Sequence, residues 1–208
     1  MYQINPLAQT NAAGMFNVET DGFIVGTAMP DPAARFALSG GWLLMTETLP
    51  MVGGVAISEY IPQERPPMGR PDVSLGGAIG RATLTTSGFA PGSITGFSVF
   101  DQNYAAVNTP QSPVPTIQQG GQVNFYRLGS GARVALAIDP TLVSMEGGII
   151  TQEVSWDIAG SRIIAFATNP LPVKILGIKA NNCMVPVLNG GTGMCTWNYN
   201  GAAALCLL

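Results

Sequence analysis

A chain of 208 residues can bury one large core without disulfide or metal staples, and 26 glycines and 16 prolines beside 47% hydrophobic residues describe a folded, turn-rich chain rather than a disordered one. Only 10% of the residues are charged, against about 25% in an ordinary domain, so uncharged polar groups or contacts with other chains must cover much of the surface. A net charge of -3 without a Lys/Arg cluster argues against nucleic acid as the main partner, and the absence of histidine removes Ser-His-Asp and Cys-His mechanisms and every His-ligated zinc site.

Residues 1–19 are polar, rich in Asn and Ala and without sustained periodicity, and they read as an extended N-terminal arm. They carry neither a basic segment nor an apolar one at the start, so no signal peptide is expected, and synthesis and assembly in a cytosol are expected. Residues 20–208 read as one β-rich domain. Its first strands are expected at Phe23-Ile24-Val25, at Arg35-Phe36-Ala37-Leu38 and, beyond Gly40-Gly41, at Trp42-Leu43-Leu44-Met45. Another is expected at residues 55–60 after Gly53-Gly54. Residues 61–77 hold four prolines and three glycines and predict a long irregular loop, whose Arg65 and Arg70 are candidate grips for a partner's carboxylates.

Strands follow at residues 79–85 and 94–100, then a second Pro/Gly-rich excursion at residues 108–121. The clearest pattern lies at residues 122–157. Val123 and Phe125 alternate with Asn124 and Tyr126, Gly129-Ser130-Gly131 interrupts, and an apolar run resumes to Ile138, which predicts a hairpin closed by a glycine turn and ended at Pro140. Ile150, Val154 and Trp156 then alternate with Thr151, Glu153, Ser155 and Asp157 in the period of a half-buried strand. Residues 162–168 and 173–178 predict two more strands. The end reads as a small meander over residues 183–208, with hairpin turns at Asn189-Gly190 and Asn200-Gly201 and an apolar terminus tied into a sheet or interface. No apolar run is long enough to cross a bilayer as a helix. The fold class is therefore all-β, a β-sandwich or jelly-roll-like domain with long Pro/Gly-rich loops.

Chemistry is sparse. Gly129-Ser130-Gly131 precedes a strand and lacks the helix N-terminus of a phosphate loop. Asp139 with Glu146, or Glu153 with Asp157, has the residue types of a glycosidase pair, but solvated strand faces explain them better. Trp42, Trp156, Trp197 and Tyr126 are candidates for a sugar-binding face, although rings on alternating strands ordinarily pack a core. Cys183, Cys195 and Cys206 are odd in number, have no C-x-x-C spacing, and read as reduced structural thiols. No catalytic residue, metal site or cofactor is expected.

Four phrases resemble the head cement, or capsid decoration, proteins of tailed bacteriophages. They are Gly53-Gly54-Val55-Ala56-Ile57-Ser58-Glu59-Tyr60, Gly96-Phe97-Ser98-Val99-Phe100-Asp101-Gln102, Phe125-Tyr126-Arg127-Leu128-Gly129-Ser130-Gly131 and Val154-Ser155-Trp156-Asp157. The likeness spans about residues 20 to 160 and is one of texture and order, with no diagnostic catalytic motif. It implies a non-enzymatic β-rich protein that binds the outside of an icosahedral shell as a dimer or trimer and clamps neighbouring copies of the major capsid protein. The contacts expected on this reading are Tyr2, Asn5 and Phe16 of the arm, with Arg65, Arg70 and Gln111 of the two loops; no nucleic acid or membrane takes part. The alternative is a β-sandwich receptor- or glycan-binding module of a phage spike or fibre.

Overall fold

The structure, a computed structural model, describes residues 22–29, 31–60, 77–83, 93–100, 107–109 and 112–208. Among the described residues strand takes up 51% and helix 6%, so the fold is all-β. In chain order the described strands are β1 (Leu38–Leu43), β2 (Ala56–Tyr60), β3 (Ala78–Arg81), β4 (Gly96–Ser98), β5 (Val107–Thr109), β6 (Ser112–Thr116), β7 (Gln122–Arg127), β8 (Arg133–Ala137), β9 (Val154–Asp157), β10 (Arg162–Ala165), β11 (Lys174–Leu188) and β12 (Cys195–Leu207). One helical turn, α1 (Pro32–Arg35), precedes β1, and a 3-10 helix spans Pro140–Met145.

Five strands close into a barrel in the order β1-β3-β2-β4-β7. Leu43, Ile57, Ile79, Val123 and Phe125 are fully buried in one cluster, which Met51, Val114 and Ile117 extend. The period of two turns alternate residues outward, so Tyr126 and Phe97 leave the barrel wall on its other side. There they meet a second cluster with Val134, Leu136, Trp156, Ile163, Ala204 and Cys206. That cluster lies under the antiparallel sheet β11-β12-β8 and the β9-β10 hairpin. Phe97 and Trp156 meet edge to face at 5.0 Å between centroids, joining barrel to sheet. Each such side chain contributes about 1.5–3 kcal/mol through burial, which is why a chain with few charges needs no staple.

Several local expectations are corrected. β7 and β8 do not form a hairpin: β7 pairs with β1 and β4 inside the barrel, whereas β8 pairs with β12. Gly129 (φ 82°) and Gly131 (φ 74°) do adopt the left-handed conformation expected of them, with no heavy atom near a would-be Cβ, but their turn passes the chain from one sheet to the other. Arg35 and Phe36 are not strand. Asp31 caps α1 by accepting from the Ala33 amide at 2.9 Å, and Pro32 supplies the fixed φ of a first helical position. Gly40-Gly41 does not divide two strands, because both lie within β1; a Cβ at Gly41 would come within 2.5 Å of the Ile79 side chain.

The Phe23-Ile24-Val25 strand reduces to a single parallel bridge between Ile24 and Met184. The excursion at residues 108–121 contains regular structure, since β5 and β6 pair and Val114 and Ile117 are fully buried. Among the described strands β6 pairs with β5, and the prolines flanking Val114 suit a strand at the edge of a sheet. Pro140 does end β8's run, and it starts the 3-10 helix. The strand expected from Ile150 starts at Val154, with Ile149 and Ile150 exposed ahead of it. Residues 174–188 form one strand, β11, and Asn189-Gly190 turns the chain as expected. Asn200-Gly201 is no turn; it sits inside β12 opposite Cys183, where the register shifts. The apolar terminus is held in the sheet, with Leu205, Cys206 and Leu207 opposite Ala135, Val134 and Arg133.

Candidate functional site

The expected contacts Tyr2, Asn5, Phe16, Arg65, Arg70 and Gln111 all lie outside the described residues. The described surface offers two other features, and both involve the outer half of the β11–β12 hairpin.

The first is the end of the hairpin. Asn189 organises its turn: the side-chain oxygen accepts from the Gly191 and Thr192 amides at 2.9 and 3.2 Å, and its carbonyl accepts from Gly193 at 2.8 Å. Below the turn, Met184, Cys195 and Trp197 are buried in the barrel-side cluster, with Trp197 6.0 Å from Phe100. Thr196, Asn198 and Asn200 alternate with them toward solvent. Three large apolar side chains break that division: Val187 is 50% exposed, Met194 42% and Tyr199 58%. Tyr199 shares the parity of buried Trp197 but stands next to the register shift between Cys183 and Val185. Sequence reasoning missed these residues. Alternation gave no signal for Tyr199, which continues the row of Cys195 and Trp197.

The second feature is a cleft of about 710 Å³ between this half-hairpin, the loop at residues 49–55 and the β9-β10 turn. Its walls carry Val187, Pro186, Asn198, Asn200, Ser161 and two arginines. Neither arginine is an isolated charge. Arg81 donates to the Pro50 carbonyl at 2.5 Å, and its amide donates to Glu47 Oε1 at 2.9 Å. Arg162 pairs with Asp139 at 3.3 Å and with Asp157 at 3.6 Å. Two of the carboxylates weighed for glycosidase chemistry are thus neutralising one guanidinium. Asp139 also accepts from the Thr141 amide at 3.0 Å and its hydroxyl at 2.7 Å, and these bonds, with the Arg162 charge, hold its carboxyl below the ordinary value.

The remaining chemistry-bearing groups are structural. Burial pushes the Cys195 and Cys206 thiols up to about 12, although the Arg81 charge offsets part of the effect at Cys195. Cys183 is buried as well, and none of the three cysteines is in a disulfide. Trp156, Trp197 and Tyr126 pack cores and do not make a common sugar-binding face. On the barrel wall Arg127 forks onto Glu59 at 2.7 and 2.9 Å and reaches Ser39 at 2.9 Å. The bond to Glu59 raises the arginine's pKa further. Among the described residues no group of three His, Cys, Asp or Glu side chains is placed to hold a metal ion, and no helix is long and apolar enough to cross a membrane. What the arrangement offers chemically is contact: apolar side chains at a hairpin end beside a lined cleft. No family model matches the chain, and no curated protein or solved structure matches it.

Proposed function

We propose that this chain is a non-enzymatic virion structural protein that coats the outside of an icosahedral phage capsid as a homo-oligomer and clamps neighbouring copies of the major capsid protein. The observation that carries the reading is the exposed apolar end of the β11–β12 hairpin, Val187, Met194 and Tyr199, on a chain with only 10% charged residues. Large apolar side chains left exposed on one hairpin suit a surface that another protein covers. The four phrases shared in texture with cement proteins supply the class of partner.

The cleft beside that hairpin favours a second reading, a receptor- or glycan-binding module, because Asn198, Asn200, Ser161 and Arg162 present directional hydrogen-bonding groups around an apolar floor. Counting the protein in purified virions separates the two. A coat protein occurs in a multiple set by the shell's triangulation and is spread over the capsid; a fibre head occurs in far fewer copies, at the tail. A second experiment tests the clamp. Removing residues 1–19 is expected to lower capsid occupancy and the temperature at which shells rupture, and wild-type values after that deletion would rule out the arm as a clamp.

A further inference from the structure

Charge is unevenly distributed along the chain. All nine basic and twelve acidic residues lie at or before Lys179, and residues 180–208 carry none. For Ala203, Ala204 and Cys206 burial is reason enough. The outer half of the β11–β12 hairpin lacks that reason, because much of it meets solvent. Opposed residues of an antiparallel pair share a face. Leu188 and Cys195 are opposed and turn toward the barrel-side cluster, so the neighbouring pair, Val187 and Thr196, turns away from it. Val185 and Asn198 follow on the same outward face, and Met194 continues the row of Thr196 and Asn198. Val187, Met194, Thr196 and Asn198 are exposed. Exposed strands ordinarily carry charges, lysine above all, that keep other strands off them. Lys174 and Lys179 stop short of this half.

We propose that this outward face binds a second copy of the chain, related by a two-fold axis, so that the face of each copy packs on the same face of the other. The chemistry of the exposed side chains selects a second copy. A two-fold contact uses one patch on both sides, so its groups meet their own kind. Valine and methionine tolerate that, and Asn and Thr each carry a donor and an acceptor, so an amide or hydroxyl can bond to its counterpart. A lysine or carboxylate repels its own kind, and this face has neither. A partner of different sequence is ordinarily steered and held in register by complementary charge, and here there is none to complement. The same face forms one wall of the cleft of about 710 Å³, where Arg162 is already paired with Asp139 and Asp157, so an uncharged hairpin meets no isolated charge there. Another exposed apolar pair, Ile149 and Ile150, stands between Glu146 and Glu153, and self-contact there would set carboxylates against carboxylates. Contact through the hairpin supplies the interface of the homo-oligomer in the coat-protein reading, on which it rests, and leaves the capsid to other surfaces.

Sedimentation velocity of the full-length chain tests it. A two-stranded face is smaller than the roughly 800 Å² per partner of a standard interface, so the chain is expected to pass from monomer to dimer between about 1 and 200 µM. Thr196→Lys sets like charges into the contact from an exposed position and is expected to weaken dimerisation at least about tenfold. Ile149→Lys, on exposed apolar surface away from the hairpin, is expected to leave it unchanged. Mixing Thr196→Lys with Thr196→Glu should restore a mixed dimer, a rescue that loss of folding would not give. A chain that stays monomeric, a trimer, association indifferent to Thr196→Lys, or an equal loss in Ile149→Lys would overturn the proposal. Virion counts bear separately on the coat-protein reading. Capsid copies set by the triangulation, with a monomer in solution, would sink the two-fold contact alone, whereas a dimer broken by Thr196→Lys but absent from capsids would sink the coat-protein reading alone.

Discussion

The two halves of the β11–β12 hairpin are built from one continuous ribbon yet belong to different parts of the molecule. In the inner half, residues 203–207 of β12 are sandwiched between β11 and β8, and Ile178, Ala204 and Cys206 join the core between barrel and sheet. In the outer half the ribbon has lost β8, and Met184, Cys195 and Trp197 instead pack on the barrel-side cluster. The change happens at a joint. Asn182 takes a positive φ of 57°, its amide donates to the Asn200 side chain at 3.3 Å, and Gly201 sits where any Cβ would run into Val185. A β-bulge of this kind re-aims a strand without ending it. A sheet and a candidate contact surface thus share two strands, because a local irregularity separates their faces.

The strongest way to break the arrangement is to remove what both halves depend on. Phe97→Ala deletes a fully buried ring that meets Trp156, and chemical denaturation should show a loss of about 3–5 kcal/mol with both halves unfolding together. A smaller change at the joint should separate the halves. Gly201→Ala forces Val185 aside and is expected to cost about 1–3 kcal/mol. In that variant native-state alkylation should reach Cys183 and Cys195 of the outer half sooner than Cys206 of the inner half; equal rates at all three would show that the halves open as one unit. Full denaturation without reductant should titrate three thiols.

Charge effects are smaller and sharpen the picture rather than break it. Arg127→Ala removes a forked ion pair whose arginine side chain is 54% exposed, so solvent screening limits its loss to about 1 kcal/mol or less in the same denaturation assay. Asp139 has a depressed folded pKa, caused first by the Thr141 amide, then by the Thr141 hydroxyl and Arg162. Its contribution is therefore complete above the ordinary value of 3.8 and is lost as pH falls below that value through the folded one. Melting temperatures measured from pH 6 downward should fall less steeply below about pH 4 in Asp139→Asn than in the parent chain.

Much of the strand content was legible because side-chain alternation is local. Val123 and Phe125 against Tyr126 can be read within one strand, and so can the buried run of β8. Pairing was not legible, because a strand does not encode its partner: nothing in residues 122–138 says that Tyr126 lies opposite Leu38 and Ala135 opposite Leu205. The adjacency of two apolar runs across a glycine turn made a hairpin the natural inference, yet each strand completes a different sheet. Asn200-Gly201 misled for a related reason. The dipeptide that suits a tight turn also suits a bulge, since both need a backbone without bulk, and only the presence of Cys183 across the ladder decides between them. The exposed apolar side chains were hidden further still, because nothing local marks Val187 and Met194 as lying outside the core.

The central position of β12 has a consequence for synthesis. β8 leaves the ribosome well before the strand that pairs with it, because residues 133–137 wait for residues 203–207, and β9, β10 and β11 are made in between. During that interval the apolar run from Ala132 to Ile138 has only residues 26–29 to bond to on one edge, and the cluster that later contains Val134, Leu136 and Cys206 stays open. The barrel strands precede β8 and can close first. Translation therefore delivers the five barrel strands before Met184, Cys195 and Trp197 complete their cluster and before the sheet is whole, a nascent chain whose exposed strands invite pairing with a neighbour on the same messenger RNA.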